Sequence, residues 1–348
     1  MTRSSFRSSS SFFFAAAAAT IAVMLAGSGR AETVYFTSYS TGALVRYDTT
    51  NPAGTIATVS PSGSTTNPAA LALGPDGNLY IGQDGDGTSI APSISRFNLT
   101  TNTLSTVYTF SSFDVFPGSL AFKGSDLLVG RNPFFANTGP IVKLTNVTGG
   151  TVGVSDYTTG GSLASSPGIA LAADGKLYVS DQTYHFAGPL AGQATGPVKR
   201  FGASGAYVGE LIADGASGLS GPTGLAIKGT TLYTASIMTG AILQTNLLTD
   251  VTTAFASTGS SFEVGALAIL SNGEIIAGSP SGSGMIYDFA ANGTLLGSFA
   301  TGFGQIGGLS VVPTAAVPEI DPATGGSALA LVAGLMAVVE QRRRRRGA

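Results

Sequence analysis

Residues 71–81 read Leu-Ala-Leu-Gly-Pro-Asp-Gly-Asn-Leu-Tyr-Ile, which predicts two short apolar strands joined by a turn. Asp-Gly is a favoured turn dipeptide because glycine adopts a positive φ without steric cost. The pattern returns at 169–179 and 267–277, in shorter form at 120–129 and 225–234, and as a truncated copy at 309–312. These copies begin 42 to 56 residues apart. Repeats of about 40–50 residues with several short strands each are typical of β-propeller blades.

The first unit lacks the opening strand that the other units have. Val34–Thr37 and Leu44–Tyr47 read as its clear strands, whereas the truncated copy Leu309–Val312 stands alone at the other end of the body. We expect that copy to pair with the first unit and close a ring, because closure removes open sheet edges. The sequence therefore predicts an all-β propeller of six four-stranded blades over residues 32–313. The first and third units are the least regular, so five or seven blades remain alternatives.

Composition is consistent with a packed β structure. The chain of 348 residues contains 49 glycines, only 10% charged residues, and neither cysteine nor tryptophan. Without cysteine there are no disulfides and no thiolate metal ligands. Between Glu32 and Val317 there are 9 basic and 16 acidic residues, a net charge near −7. This balance disfavours a nucleic-acid partner, which requires a basic face.

The N-terminal segment, residues 1–31, reads as a secretory signal peptide with a signal helix. Arg3 and Arg7 precede an apolar run over 12–26, and Ser-Gly-Arg-Ala at 28–31 offers a small-residue cleavage site. The alternative is an uncleaved membrane anchor, although the run is short against the roughly 20 residues that a spanning helix needs.

The C-terminal segment, residues 314–348, has three ordered parts. Val317, Pro318 and Glu319 come first, then an apolar stretch over 327–339 that predicts a hydrophobic helix. Five consecutive arginines follow: Arg342, Arg343, Arg344, Arg345 and Arg346. The positive-inside rule places these arginines in the cytoplasm and the body outside.

This layout resembles the PEP-CTERM sorting tail of Gram-negative envelope proteins, over about 30 residues. The sequence departs from the commonest form at Ile320, where a second proline usually follows. The resemblance implies an exported protein that is held transiently in the inner membrane and cleaved by an exosortase near Pro318-Glu319. It would then stay at the cell surface or outside the cell. An ordinary C-terminal membrane anchor is the alternative.

The body resembles NHL-type and gluconolactonase-like six-bladed propellers through its Pro-x-x-Leu-Ala-x-x-x-Asp-Gly-x-Leu-Tyr-Val repeat. The lactonase-like members of this class hold a divalent metal in the central channel. Among the positions just before each inner strand, only Asn67 and Glu263 could ligate a cation. Asp84 and Asp86 form a second cation candidate, for which Ca²⁺ is the natural ion, but a plain turn explains them as well. No cofactor is otherwise expected.

His185 is the only histidine of the chain. It lies in an insertion of the fourth unit, residues 184–197, where Tyr184, His185 and Phe186 form a candidate binding loop. Asp181 lies four residues earlier, but no Gly-x-Ser-x-Gly setting in the body would activate a serine. The sequence therefore assigns no catalytic residue.

Two functions follow from these observations. The first is an exported structural or binding module without catalysis, with extracellular polysaccharide or surface proteins as partners. The second is a metal-dependent, lactonase-like hydrolase with its site in the central channel. The resemblance of the repeat concerns fold, so it does not decide between them.

Overall fold

A computed structural model describes residues 32–111, 115–132, 139–185 and 189–313. These residues contain 26 strands and one 3₁₀ helix, Ala216–Gly218. The strands of the N-terminal half are β1 (Thr33–Ser38), β2 (Ala43–Asp48), β3 (Ala57–Ser60), β4 (Pro68–Leu73), β5 (Leu79–Gln83), β6 (Ser93–Asn98), β7 (Thr103–Thr109), β8 (Pro117–Lys123), β9 (Asp126–Arg131), β10 (Val142–Thr145) and β11 (Gly153–Asp156).

The C-terminal half begins with a blade that carries an extra hairpin. Its strands are β12 (Ile169–Leu171), β13 (Leu177–Ser180), β14 (Thr183–Tyr184), β15 (Ala194–Thr195), β16 (Val198–Phe201) and β17 (Tyr207–Ile212). The remaining strands are β18 (Pro222–Lys228), β19 (Thr231–Ser236), β20 (Ala241–Asn246), β21 (Val251–Ser257), β22 (Ala266–Ile269), β23 (Ile275–Gly278), β24 (Met285–Phe289), β25 (Leu295–Ala300) and β26 (Ile306–Val312).

Twenty-four of these strands form six four-stranded antiparallel sheets, which are the blades of a propeller, and β14 and β15 form a separate two-stranded sheet. The strand orders are β26-β1-β2-β3, β4-β5-β6-β7, β8-β9-β10-β11, β12-β13-β16-β17, β18-β19-β20-β21 and β22-β23-β24-β25. The predicted closure is confirmed, because β26 pairs with β1 through Val34↔Val311 and Phe36↔Leu309. The six-bladed prediction is therefore correct, and the alternatives of five or seven blades are excluded.

The repeated Asp-Gly turn has the same geometry in three blades. Gly77, Gly175 and Gly273 have positive φ values of 74°, 81° and 95°. In each turn the preceding Asp or Asn side chain accepts a hydrogen bond from the backbone N–H two residues on, as Asp76 does from Asn78 at 3.3 Å. The turn signal in the sequence therefore encodes both the backbone conformation and its side-chain cap.

The hydrophobic core lies between the blades, divided into six clusters among the described residues. Each cluster joins two neighbouring blades. In blade 1, Tyr35 and Leu44 pack against blade 2, whereas Phe36 and Val45 pack against blade 6. Because successive residues of a strand point to opposite faces, both faces of each sheet are buried, and inner strands read as continuous apolar runs.

Near the axis, inner strands of neighbouring blades approach each other backbone to backbone. A Cβ atom on Gly168 would overlap the carbonyl oxygen of Thr223 in the next blade, and one on Gly224 would overlap that of Gly265. These glycines are therefore required by contact between blades, which explains their frequency in the inner strands.

The predicted signal peptide, residues 1–31, and the predicted tail, residues 314–348, lie outside the described residues, and so do their predicted helices. The boundaries of these segments stay predictions. Within the described ranges, no helical segment has the length and apolar character needed to cross a membrane.

The backbone contacts near the axis predict a position-dependent cost of adding one methyl group. We expect Gly168→Ala to lower the free energy of unfolding by about 2–3 kcal/mol, because the blades must separate to admit the Cβ atom. Gly282→Ala is the matched control, since nothing lies within 4 Å of its added Cβ. Urea denaturation followed by tyrosine fluorescence measures both changes; equal effects in the two variants would contradict the proposed backbone contact.

Candidate functional site

A ring of six aliphatic side chains, one from each blade, surrounds the axis of the propeller. All six line a central cavity of about 310 Å³, and each is only 6–9% exposed. They occupy the equivalent inner-strand position of the repeat: Leu71, Leu120, Ile169, Leu225, Leu267 and Leu309. Each belongs to a different hydrophobic cluster, so the ring is the common inner edge of all six interfaces between blades.

The hydroxyl groups near this ring donate their protons to a neighbouring blade. Ser119 donates to the carbonyl of Ser166 at 2.7 Å, and Thr223 donates to that of Gly265 at 3.2 Å. These bonds join adjacent blades and satisfy polar groups that would otherwise face the cavity. The interior of the channel therefore presents a mainly apolar surface.

The rim of the channel carries neutral polar side chains: Tyr39, Asn132, Gln182 and Gln305. Gln182 is 3% exposed, and its Nε2 donates to the carbonyl of Pro222 at 3.1 Å. This bond fixes the amide, and its Oε1 accepts no hydrogen bond from the described residues. Gln182 therefore presents an acceptor that a ligand can use.

Asp84 lies behind this rim and is completely buried. Its Oδ2 accepts hydrogen bonds from the Tyr39 hydroxyl at 3.3 Å and from Nδ2 of Asn132, so one carboxyl group links three consecutive blades. Its Oδ1 is buried without a hydrogen-bond partner among the described residues. Burial raises the pKa of Asp84 well above its usual value, although both hydrogen bonds act in the opposite direction.

Asp86, the second carboxylate of that candidate cation site, has different surroundings. Its Oδ1 accepts three backbone hydrogen bonds within its own loop, from Thr88 at 2.9 Å and from Ser89 and Ile90 at 2.7 Å. The Ser89 hydroxyl and these N–H groups lower the pKa of Asp86. Asp86 thus caps an exposed turn, while Asp84 joins blades.

Asn67 and Glu263 are engaged within their own blades, and neither lines the channel. Asn67 donates to the carbonyl of Gly85 at 2.7 Å. Glu263 accepts from the Tyr287 hydroxyl at 2.8 Å and from two serine hydroxyls, those of Ser281 and Ser283, at 3.2 Å. The described residues bring together no group of three or more His, Asp or Glu side chains suited to a metal ion. Cation binding by these residues stays a prediction.

The insertion of the fourth blade contains the small hairpin β14–β15, in which Tyr184 pairs with Ala194. His185 Nε2 lies 2.9 Å from Thr195 Oγ1, and Phe186 lies outside the described residues. Asp181 forms an ion pair with Lys199 at 2.5 Å, so Asp181 and His185 have separate partners. Because Gln182 directly precedes β14, the hairpin begins at the rim of the channel.

The rim residues were not predicted from the sequence. Three of them follow the second strand of a blade within two residues: Tyr39 after β1, Asn132 after β9 and Gln182 after β13. A polar or aromatic residue just after the second strand of a blade could have indicated a rim residue. That interpretation requires knowing that the second strand ends at the mouth of the channel.

Comparison with protein families identifies the C-terminal segment. Residues 317–347 match the VPEID-CTERM protein sorting domain. Ile320 and Asp321 therefore complete the motif that begins at Val317. A sorting domain of this kind implies export of the chain and processing by an exosortase-like enzyme. The comparison with curated proteins found no match.

Solved structures share the fold of the body at low sequence identity. A chain of a nidogen/laminin complex is 13% identical, with a TM-score of 0.62 over 81% of this chain and 98% of that one. Two proteins provisionally assigned as 6-phosphogluconolactonases have TM-scores of 0.52. The one from Bacteroides uniformis is 18% identical over 83% of this chain and 84% of that one. The one from Bacteroides fragilis is 15% identical over 82% and 99%. The chain thus combines a six-bladed β-propeller with a C-terminal sorting domain.

The buried carboxyl group predicts a pH dependence of stability. A raised pKa means that the folded state binds more protons than the unfolded state above pH 3.8, so stability falls as the pH rises from there. We expect Asp84→Asn to remove this part of the fall, so that the stability of the variant relative to the native chain rises between pH 4 and 8.

Thermal unfolding of both proteins between pH 4 and 8 measures the effect. The pKa of Asp288 is raised to about 6 by burial and by Glu274. Its contribution to the pH dependence of stability is the same in both proteins, so it cancels when their stabilities are subtracted. A loss of stability in Asp84→Asn at pH 7.5, together with a Ca²⁺-induced rise in Tm of the native chain alone, would contradict an uncharged Asp84 and favour a cation site.

Proposed function

We propose that the exported protein is a structural or binding module that acts without catalysis at the cell surface or in the extracellular matrix. The sorting domain supports this location, since it implies export and processing. Extracellular polysaccharide or surface proteins are the proposed partners. The net charge of the body, with 16 acidic and 9 basic residues, disfavours nucleic acid.

One observation carries this proposal: the channel, where propeller enzymes of the lactonase type hold their metal, is lined here by six aliphatic side chains and neutral rim groups. Hard divalent cations take six or more oxygen ligands, several of them carboxylates. Two of the three carboxylates considered for this role are fully engaged, since Asp86 caps its own turn and Glu263 binds three hydroxyl groups. The third, Asp84, accepts hydrogen bonds from Tyr39 and Asn132 through Oδ2. The chemistry of the channel surface therefore suits binding better than metal-assisted hydrolysis.

The proposed contact surface is the face that carries the channel rim and the hairpin β14–β15. Tyr184 and His185 lie on this hairpin, beside the rim residue Gln182. Loops and hairpins on a rigid scaffold are frequent contact sites, because their sequences can vary without disturbing the packing of the core. Within the described residues, the fourth blade alone carries such a two-stranded hairpin between its second and third strands.

A lactonase-like hydrolase remains the second candidate. Asp84 favours it, since a buried carboxylate oxygen without a partner is a group that a cation would satisfy. The similarity to the two Bacteroides proteins concerns the fold and adds no catalytic residue.

Two assays on the exported protein, purified from its producing cells, separate the candidates. We expect no Ca²⁺ binding by calorimetry and no turnover of a panel of lactones, because the channel offers apolar and neutral groups. Ca²⁺-dependent turnover that is lost in Glu263→Gln or Asp84→Asn would contradict the proposal. Asp126→Asn, at the partly exposed first position of β9 and away from the channel lining, is the control for the loss of one carboxylate.

Processing at the sorting motif is tested separately. We expect the mature protein to end near Pro318-Glu319, and a Pro318→Ala/Glu319→Ala variant to retain the arginine cluster and accumulate in the membrane fraction. Intact mass and fractionation measure both outcomes, with Thr324→Ala as a control outside the motif. Release of the double variant at the native rate would contradict recognition of this motif.

A further inference from the structure

We propose that the central channel binds a small uncharged amphiphile, with its hydrocarbon part against the aliphatic ring and a hydroxyl, carbonyl or amide group at the rim. This inference rests on the proposed function, in which the channel face binds and does not catalyse. It adds the chemical class of the ligand, which follows from three properties of the channel.

The first property is the apolar wall. The six ring residues each keep a small exposed area toward the cavity, and the nearby Ser119 and Thr223 hydroxyls are already bonded to the next blade. A buried water needs two to four polar partners, which this part of the wall does not offer. A hydrocarbon group can cover the same surface with a gain in free energy, since it removes apolar area from water.

The second property is the neutral rim. Gln182 presents Oε1 as an acceptor because its Nε2 is held by Pro222. Gln305 accepts from the Ser40 hydroxyl through Oε1 at 3.5 Å, so its Nε2 is the donor that remains toward a ligand. A hydroxyl or amide head group matches either amide. A few placed polar groups above an apolar pocket are the usual arrangement of small-molecule sites.

The third property is the charge of the lining. The described residues that line the cavity include no Lys, Arg, Asp or Glu. A charged head group would lose its hydration at the rim without a counter-charge beside it, which is costly. Asp84 is separated from the cavity by Tyr39 and Asn132, and it acts as a positioning residue that holds these two side chains at the rim.

The cavity volume limits the size of the ligand. At about 310 Å³, the cavity suits a small molecule. This is near the lower end of small-molecule pockets. A single eight-carbon chain with one head group has this size, whereas a phospholipid or an oligosaccharide does not.

The test uses three probes with the same chain and different head groups: 1-octanol, octanoate and octylamine. Calorimetry at pH 7.5 on the exported protein measures their binding. We expect 1-octanol to bind with a negative heat-capacity change, and the two charged probes to bind at least tenfold more weakly. Absent octanol binding, or equal binding of the three probes, would overturn the inference.

Variants locate the binding event. Ala266 lines the cavity, so Ala266→Leu fills the channel without adding a polar group and should abolish octanol binding. Gln182→Leu should weaken octanol binding about tenfold by removing the acceptor. Leu248, which is 79% exposed, provides the control Leu248→Ala, with unchanged binding expected. Thermal unfolding identifies any variant that fails to fold. Native binding by a folded Ala266→Leu protein would overturn the inference.

Failure of the ligand-class inference and failure of the proposed function give different results in these assays. Lactone turnover in the same samples would contradict the non-catalytic proposal itself. If neither turnover nor octanol binding is found, the proposed ligand class is wrong. The proposed binding module would then still stand, with its contacts on the outer face.

Discussion

The pairing of β26 with β1 is the interaction on which the structure depends. It supplies the inner strand of blade 1 from the far end of the body, with Phe36 opposite Leu309. Once the ring is closed, every blade has two neighbours, so each sheet buries both faces and the core is divided among six equivalent interfaces. An open arc would leave two apolar sheet faces in water.

Closure of the ring also determines which residues can line the central channel. Inner strands meet so closely that glycines such as Gly168 and Gly224 are needed at the contacts, and hydroxyl groups there bond across the interfaces. The remaining lining is the ring of six aliphatic residues. The channel is therefore apolar for the same reason that the blades fit together, and its polar chemistry is confined to the rim.

The repeated strand–turn–strand pattern allowed the blade number and the closure to be predicted, because period and turn chemistry are local properties of the sequence. The rim was not predictable in the same way. Tyr39, Asp84 and Asn132 come from three blades and are more than 40 residues apart, yet they form one hydrogen-bonded group. The hairpin β14–β15 was expected only as an insertion, since two-residue strands are too short to show a period.

The position of β26 has a consequence for the order of events during export. This strand ends at Val312, five residues before the sorting domain begins at Val317. In a chain that crosses the membrane unfolded and N-terminus first, blade 1 cannot be completed until almost the whole body has crossed, so the edge of β1 stays unpaired during translocation. Contacts between such distant chain segments form slowly. A tail that briefly retains the chain at the membrane would give the last strand time to find its partner before release.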